Sequence, residues 1–223
     1  MRKRKVNREL IGIISYLPDN LEIREHRKQK LIGLINKCNE LFDLPIYIVI
    51  QNYTEEEEEF LSNIPNVMTS PRFQKLGILS ARKILRRTFL AMNFDTLIML
   101  DDDCELIGTK SDGQEYLRQL REHPDCFGEF KSTLLKLFSI PRKILKDEDY
   151  PLINPELEEG FEDRVFVNKL RIKYPSNRFV YNCKLREISV AAKDIYSTWY
   201  SNQDLNKMGE LTQEKITNLN KEC

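Results

Sequence analysis

Several residue types that mark specialised protein classes are scarce in this sequence. Its 223 residues include two histidines and five cysteines, with no Cys-x-x-Cys pair and no histidines at zinc-ligand spacing. This scarcity excludes a structural zinc module and a disulfide framework. No apolar run approaches the roughly 20 residues that span a bilayer, and no apolar segment follows the basic residues 2–5 as it would in a secretory signal. We therefore expect a cytoplasmic protein.

An excess of charge of one sign is also lacking. The 35 Lys and Arg residues balance 35 Asp and Glu residues, so the overall attraction to phosphate backbones that nucleic-acid binding requires is absent. The basic residues 2–5 are the one local feature that fits contact with anionic lipid, but a solvated terminus explains them better. We expect no nucleic-acid partner.

What is present, in the first half of the chain, is an alternation of strand-length apolar runs and helical periodicity. Buried strands are predicted at residues 10–17, 46–50 and 97–100. Helices are predicted at residues 22–37, from Thr54 onward and over residues 77–94. This order is typical of a parallel sheet with right-handed crossovers, whose ligand site lies at the carboxyl ends of the strands.

The second half of the chain is less regular. The patterns predict a helix at 114–122, strand within 127–140, an acidic loop at 147–160, a helix at 161–174, and short strands at 179–181 and 188–191. Residues 198–223 are polar with weak helical periodicity. We expect one domain, residues 1–197, followed by a helical tail.

Three consecutive aspartates, Asp101, Asp102 and Asp103, end the apolar strand at 97–100. Neighbouring carboxylates repel one another and raise one another's pKa, and a bound divalent cation is the usual compensation. Oxygen ligands that leave room for phosphates suit Mg²⁺ or Mn²⁺. A solvated acidic turn is the plainer interpretation, but it does not explain why the acids end a buried strand.

Arg82 is the arginine best placed to meet these acids. The helix that begins at Gly77 runs antiparallel to the next strand, so its amino end lies at the same edge of the sheet as Asp101. At 1.5 Å per residue, Arg82 sits about one turn from that end. A helix amino terminus at this edge also favours anions such as a ligand phosphate. The alternative is an ordinary surface arginine.

The segment that carries these residues resembles the nucleotide-sugar half of glycosyltransferases of the GT-A fold. Their hallmark is an Asp-x-Asp motif that ends a strand, after a helix that begins with Gly and carries an Ala-Arg-Asn triplet. Here Gly77 precedes Ala81-Arg82-Lys83, with lysine in place of the asparagine. Further on, Gly160-Phe161-Glu162-Asp163 resembles the Glu-Asp motif of the inverting members.

This resemblance covers residues 10–194 and implies both a fold and an activity. The fold is α/β of GT-A type, a Rossmann-like, mostly parallel central sheet flanked by helices, with a nucleotide-sugar-binding half at 10–110 and an acceptor-side half at 111–197. The activity is metal-assisted, inverting transfer of one sugar from a nucleotide-diphosphate sugar, expected to be a UDP-sugar, to a hydroxyl of a glycan, lipid-linked or protein acceptor. The implied cofactor is Mn²⁺ or Mg²⁺. No Gln-x-x-Arg-Trp motif is present, which favours a single transfer over processive synthesis.

The resemblance also implies roles for individual residues. Asp103 and Asp101 would hold the metal, Asp102 would contact the ribose, and Asp163 would act as the catalytic base. The other donor-binding candidates, which close the first two strands or begin the helix before the aspartates, are Ser15, Tyr16, Gln51, Asn52, Gly77 and Arg82. An acid at position 163 equally fits a helix start, where the dipole favours negative charge.

Two further functions compete with this one. The first is a sugar nucleotidyltransferase, a class that shares the sheet and the acidic metal site. The resemblance to that class would require a glycine-rich loop after the first strand, and Tyr16-Leu17-Pro18-Asp19 contains no glycine. A catalytically silent nucleotide-sugar-binding partner subunit would explain Lys83 and the lack of a well-placed third metal ligand. The tail fits either homodimerisation or peripheral contact with a membrane-bound acceptor at the inner face of the membrane.

Overall fold

The computed structural model describes residues 8–130, 137–147 and 162–189. The elements in chain order are β1 (Glu9–Tyr16), α1 (Leu21–Leu41), β2 (Ile46–Gln51), α2 (Glu55–Ser62), β3 (Val67–Thr69), α3 (Ile78–Ala91), β4 (Thr96–Asp101), β5 (Cys104–Ile107), α4 (Lys110–Glu122), β6 (Phe127–Glu129), β7 (Phe138–Pro141), α5 (Arg142–Asp147), α6 (Glu162–Lys173), a short 3-10 helix (Pro175–Asn177), β8 (Arg178–Val180) and β9 (Arg186–Ser189). The predicted tail and nearly all of the predicted acidic loop lie outside the described residues. No helix within these ranges is long and apolar enough to cross a bilayer.

Seven strands form the central sheet, in the order β3-β2-β1-β4-β7-β6-β8. β1 pairs in parallel with β2 and β4, and β2 pairs in parallel with β3. β7 is the antiparallel member, inserted between β4 and β6, while β8 runs parallel to β6. The prediction of an α/β fold with a mostly parallel central sheet flanked by helices is confirmed.

Helices cover both faces of this sheet, which explains why its central strands are apolar along most of their length. Every residue of β2 is buried. On one face, α1 and α4 pack through residues that include Leu31, Ile35 and Tyr116. On the other face, α3, α5 and α6 pack through residues that include Phe89 and Phe166.

Local capping sets where the helices of the first half begin. At α2, Thr54 and Glu57 form a reciprocal capping box, as the acidic first turn suggested. Gly77 precedes α3 with φ 78°, a left-handed conformation that glycine adopts without strain. The helix over 77–94 and its glycine start are therefore confirmed, although the helix ends at Ala91.

Several elements differ from the prediction. α4 begins at Lys110 and not at 114, because Thr109 and Asp112 form a second capping box. α1 continues to Leu41, because Cys38 and Leu41 extend its buried stripe. The short elements β3 and α5 were not predicted. Neither was the separate two-stranded sheet in which β5 pairs antiparallel with β9.

Candidate functional site

Strand register brings most of the predicted site residues to one edge of the sheet. Tyr16 at the end of β1 is aligned with Gln51 at the end of β2, and Ile14 is aligned with Asp101 at the end of β4. Because these three strands are parallel, their carboxyl ends meet at one edge, which is where α/β sheets bind ligands. The predicted residues collected there are Ser15, Tyr16, Gln51, Asn52, Asp101, Asp102 and Asp103.

Arg82 lies behind the first aspartate. Its Nη2 donates to Asp101 Oδ1 at 3.4 Å. The Arg82 side chain is 6% exposed, whereas that of Asp101 is 46% exposed. A buried guanidinium thus backs a carboxylate that faces solvent, at the sheet edge where α3 begins. The structure therefore places Arg82 beside Asp101, as expected from the direction of the helix.

Asp102 turns back toward β1 and is held there by hydrogen bonds. The Ser15 hydroxyl donates to Asp102 Oδ2 at 2.7 Å, and the Tyr16 backbone N–H donates to the same oxygen at 3.4 Å. Loss of hydration raises the pKa of Asp102 above its ordinary value, while the Arg27 guanidinium and the Ser15 hydroxyl act in the opposite direction. Asp102 is therefore an oriented carboxylate and not a freely rotating one.

Asp103 is strongly perturbed by burial and by its two acidic neighbours. Burial, followed by repulsion from Asp102 and Asp101, raises the pKa of Asp103 to about 7. A carboxyl group in this condition is half neutralised at neutral pH, and a nearby cation would restore its charge. The accumulation of like charge that the sequence suggested is present in the fold.

The donor set fits a cation that is shared with a ligand. Mg²⁺ and Mn²⁺ accept one or two carboxylates when phosphates and water supply the other oxygens, and Asp101 and Asp103 provide such oxygens. Among residues 8–130, 137–147 and 162–189, no group of three or more His, Cys, Asp or Glu side chains forms a ready-made cation site. His123 follows the last residue of α4, and its ring stacks on that of Phe179 with centroids 3.9 Å apart. His26 lies on α1. Neither histidine is therefore part of such a group.

Gln51 and Asn52 are engaged with the neighbouring loops. Gln51 Oε1 accepts a hydrogen bond from the Leu76 N–H at 2.9 Å. Asn52 has φ 61°, and its Nδ2 donates to the Leu17 carbonyl at 2.7 Å and to Asp19 Oδ1 at 2.9 Å. Both side chains therefore shape the loops at the strand ends, and their contact with a nucleotide stays a prediction.

Arg24 and Glu57 tie the same loops together and were not predicted as site residues. Arg24 donates to the carbonyls of Pro18 at 3.2 Å and Asn52 at 2.7 Å, and its Nε donates to Glu57 Oε1 at 2.9 Å. The two side chains are 13% and 14% exposed, and the hydrogen bond from Arg24 lowers the pKa of Glu57. No local sequence pattern signals this pair, because its partners come from different helices.

The Tyr16 ring contacts the segment that precedes α3. The Lys75 ammonium is 5.5 Å from the centroid of the Tyr16 ring, within the range of a cation–π contact. Lys75 belongs to the segment that Gly77 joins to α3. An aromatic ring and an ammonium group are therefore available at the end of β1.

The backbone of Asp163 lies in the first turn of α6. Phe166, one turn later, packs edge-on at 6.5 Å against Phe138, which is paired with Met99 of β4. Because α6 leads into β8, which runs parallel to β4, the helix returns across the sheet and its first turn lies toward the carboxyl edge. Gly160 and Phe161 of the same motif lie outside the described residues.

The sheet order and the flanking helices define the fold class, an α/β fold with a mostly parallel central sheet. No family model matches the sequence, and no curated protein matches it. The similarity is to solved structures, at identities low enough that it shows the fold alone.

Three solved structures illustrate the match. Staphylococcus aureus TarS 1–349 has a TM-score of 0.54 and 15% identity over 72% of this chain and 54% of TarS 1–349, so this chain spans about half of that fragment. A cytidylyltransferase from Leptospira borgpetersenii has a TM-score of 0.57 and 12% identity over 95% of this chain and 96% of its own. A Desulfovibrio desulfuricans G20 protein described as a nucleotide-diphospho-sugar transferase has a TM-score of 0.50 and 10% identity over 96% and 98%.

Proposed function

We propose that the protein is a metal-assisted, inverting glycosyltransferase that moves one sugar from a UDP-sugar to an acceptor hydroxyl. The observation that carries this proposal is the arrangement at the carboxyl edge of β4. Three clustered aspartates, one with a pKa raised to about 7, lie beside a buried arginine. An edge that combines acids for a cation with a positive charge for an anion suits a diphosphate and its metal together. TarS 1–349 has also been solved in complex with UDP, and that structure matches this chain with a TM-score of 0.52.

Each residue of this edge has a distinct task in the proposed donor site. Asp103 and Asp101 supply oxygens for Mn²⁺ or Mg²⁺, which when bound neutralises charge on the leaving diphosphate. Arg82 adds a fixed positive charge behind Asp101. Asp102, oriented by Ser15, accepts a hydrogen bond from the ribose. The Tyr16 ring and the loop that Asn52 shapes hold the base.

The transfer step needs a base on the acceptor side, and Asp163 is the candidate. The acceptor oxygen forms a bond to the anomeric carbon while the bond from that carbon to the diphosphate oxygen breaks, and the configuration inverts. The hydroxyl proton passes to the Asp163 carboxylate. The position of Asp163 in the first turn of α6, toward the carboxyl edge, supports this role.

A sugar nucleotidyltransferase is the second candidate, favoured by the cytidylyltransferase that matches nearly the whole chain. Such an enzyme must hold a nucleoside triphosphate, and phosphates are commonly cradled by backbone N–H groups of a loop. Here the Tyr16 N–H donates to Asp102 and the Leu17 N–H donates to the Gln51 carbonyl at 3.1 Å, while Pro18 has no N–H. The loop after β1 therefore offers few donors to a triphosphate, which supports the glycosyltransferase.

A thermal-shift screen of nucleoside diphosphates, each with Mn²⁺ and with EDTA, tests the donor class. We expect stabilisation by UDP that requires the cation and exceeds that of CDP and GDP, because a ligand that binds only the folded state raises its stability. Stabilisation by CTP, with pyrophosphate released from CTP when a sugar phosphate is added, would instead identify a nucleotidyltransferase. An absence of any cation-dependent shift would contradict both.

Asp163→Asn tests the catalytic step. The variant should retain UDP affinity and lose about 10²-fold or more in the rate of UDP release from the donor with an acceptor mixture. Glu162→Gln, in the same helical turn, is the matched control and should keep its rate. Normal turnover by Asp163→Asn would make Asp163 a helix-capping acid. Binding without any UDP release by the unmodified protein would identify a silent partner subunit.

A further inference from the structure

A continuous chain of hydrogen bonds links Tyr53 to Asp102 through Ser15. The Tyr53 hydroxyl lies 2.7 Å from Ser15 Oγ, and Ser15 Oγ lies 2.7 Å from Asp102 Oδ2. Tyr53 is 7% exposed and Ser15 is 2% exposed. Water is therefore largely excluded from the first two members, and each depends on the other to satisfy its hydrogen bonds.

The direction of this chain follows from the number of protons available. A serine hydroxyl has one proton to donate. Ser15 Oγ donates it to Asp102 Oδ2, so Tyr53 must donate to Ser15. Burial raises the pKa of the Tyr53 phenol, which keeps its proton in place. The order of donation is Tyr53 to Ser15 to Asp102.

We infer that Tyr53 is a positioning residue for the donor site, acting through Ser15 to hold the Asp102 carboxylate in the orientation that receives the nucleotide. This inference rests on the proposed function, in which Asp102 contacts the donor. Tyr53 follows β2, whereas Ser15 is the penultimate residue of β1 and Asp102 follows β4. One phenol hydroxyl therefore connects the three strand ends around which the donor would bind.

The physical effect is on the direction and the strength of the Ser15 hydrogen bond. A hydroxyl that accepts one hydrogen bond is polarised and donates the next one more strongly. Without Tyr53, Ser15 Oγ loses its donor partner and its rotation is less restricted, so Asp102 samples more orientations. Binding of the donor would then have to restrict Asp102 to one orientation, and this loss of conformational entropy would weaken the affinity for the donor. Chemistry at the anomeric carbon would be left unchanged.

Tyr53→Phe tests this inference because it removes the hydroxyl and keeps the ring. We expect the Kd for UDP with Mn²⁺ and the KM for the donor to rise about three- to tenfold, the loss of one hydrogen bond, with kcat within about twofold of the unmodified protein. Tyr116→Phe is the matched control, because the Tyr116 hydroxyl donates to the Leu137 carbonyl at 3.0 Å in the core. Tyr116→Phe should leave Kd and KM unchanged even where it lowers stability.

A double-mutant cycle separates positioning from a general loss of packing. Ser15→Ala breaks the same chain, so adding Tyr53→Phe to Ser15→Ala should raise the Kd no further. Independent, additive effects of the two substitutions would overturn the inference. If Tyr53→Phe does not fold, Ser15→Ala decides alone, and an unchanged Kd in that variant overturns the inference.

The outcomes distinguish this inference from the proposed function. Cation-dependent UDP binding by the unmodified protein, together with an unchanged Kd in Tyr53→Phe, overturns the positioning role and leaves the glycosyltransferase proposal intact. No UDP binding by the unmodified protein overturns both. A rise in Kd that is limited to Tyr53→Phe and Ser15→Ala supports both.

Discussion

Replacing Asp103 with asparagine is expected to stabilise the metal-free protein at neutral pH. Burial and the two neighbouring aspartates raise the pKa of Asp103 to about 7, compared with about 3.9 in an unfolded chain. Between these two values the folded state holds the proton and the unfolded state does not. The contribution of this carboxyl to stability is therefore complete below about pH 4 and is lost as the pH rises through about 7.

The size of the effect follows from the difference in pKa. A difference of about three units corresponds to about 4 kcal/mol for a fully buried group. Asp103 is only half-buried, and solvent screens part of its repulsion, so we expect about 2 kcal/mol. An asparagine has nearly the same shape and no charge. Asp103→Asn should accordingly be about 2 kcal/mol more stable than the unmodified protein at pH 8 and equal to it at pH 4.

Urea unfolding in EDTA across this pH range measures the difference. Asp112→Asn is the matched control of opposite sign, because hydrogen bonds from Thr109 lower the pKa of Asp112, so its contribution is present at neutral pH and lost in acid. Added Mn²⁺ should stabilise the unmodified protein and leave Asp103→Asn unaffected. A difference between Asp103→Asn and the unmodified protein that is the same at pH 4 and pH 8 would refute the reasoning.

The remaining predictions concern stability and are measured by urea unfolding. Gly113→Ala should cost about 2 kcal/mol despite its better helix propensity, because its Cβ would collide with the backbone carbonyl of Leu41. Gly33→Ala, in an open helical position of α1, should instead gain about 1 kcal/mol, and the same sign for both would contradict the packing described. Arg24→Met should cost about 3 kcal/mol, since it leaves Glu57 largely buried without its ion pair. A double-mutant cycle with Glu57→Gln should recover about 1–2 kcal/mol as coupling energy, and simple additivity would show that the pair does not hold the loops.

The sheet edge was predictable from the sequence because it depends on patterns that are local. An apolar run such as residues 97–100 predicts a buried strand, and the three acids that follow it stand out against that run. The direction of α3 then fixes which arginine reaches Asp101. The direction of the helix and its rise per residue were enough to predict that Arg82 lies near Asp101. In the structure, Arg82 Nη2 is 3.4 Å from Asp101 Oδ1.

Features that depend on distant pairing were not predictable. A strand predicted at 188–191 overlaps β9, but β5 is only four residues long, and no local signal indicates that it pairs with β9. The Tyr53 hydroxyl is hydrogen-bonded to Ser15, which lies on a different strand, and no spacing in the sequence indicates that contact. By contrast, the Thr109 and Asp112 capping box that begins α4 was a readable local signal, since both residues lie in one turn.

Diffraction from crystals grown with Mn²⁺ and UDP, recorded at the manganese absorption edge, tests the central claim most directly. The account predicts one anomalous peak within coordination distance of an Asp103 carboxylate oxygen and of the UDP diphosphate, with Asp102 still accepting its hydrogen bond from Ser15. UDP bound away from the carboxyl edge of β4, or bound there with no manganese between its phosphates and the aspartates, would contradict it.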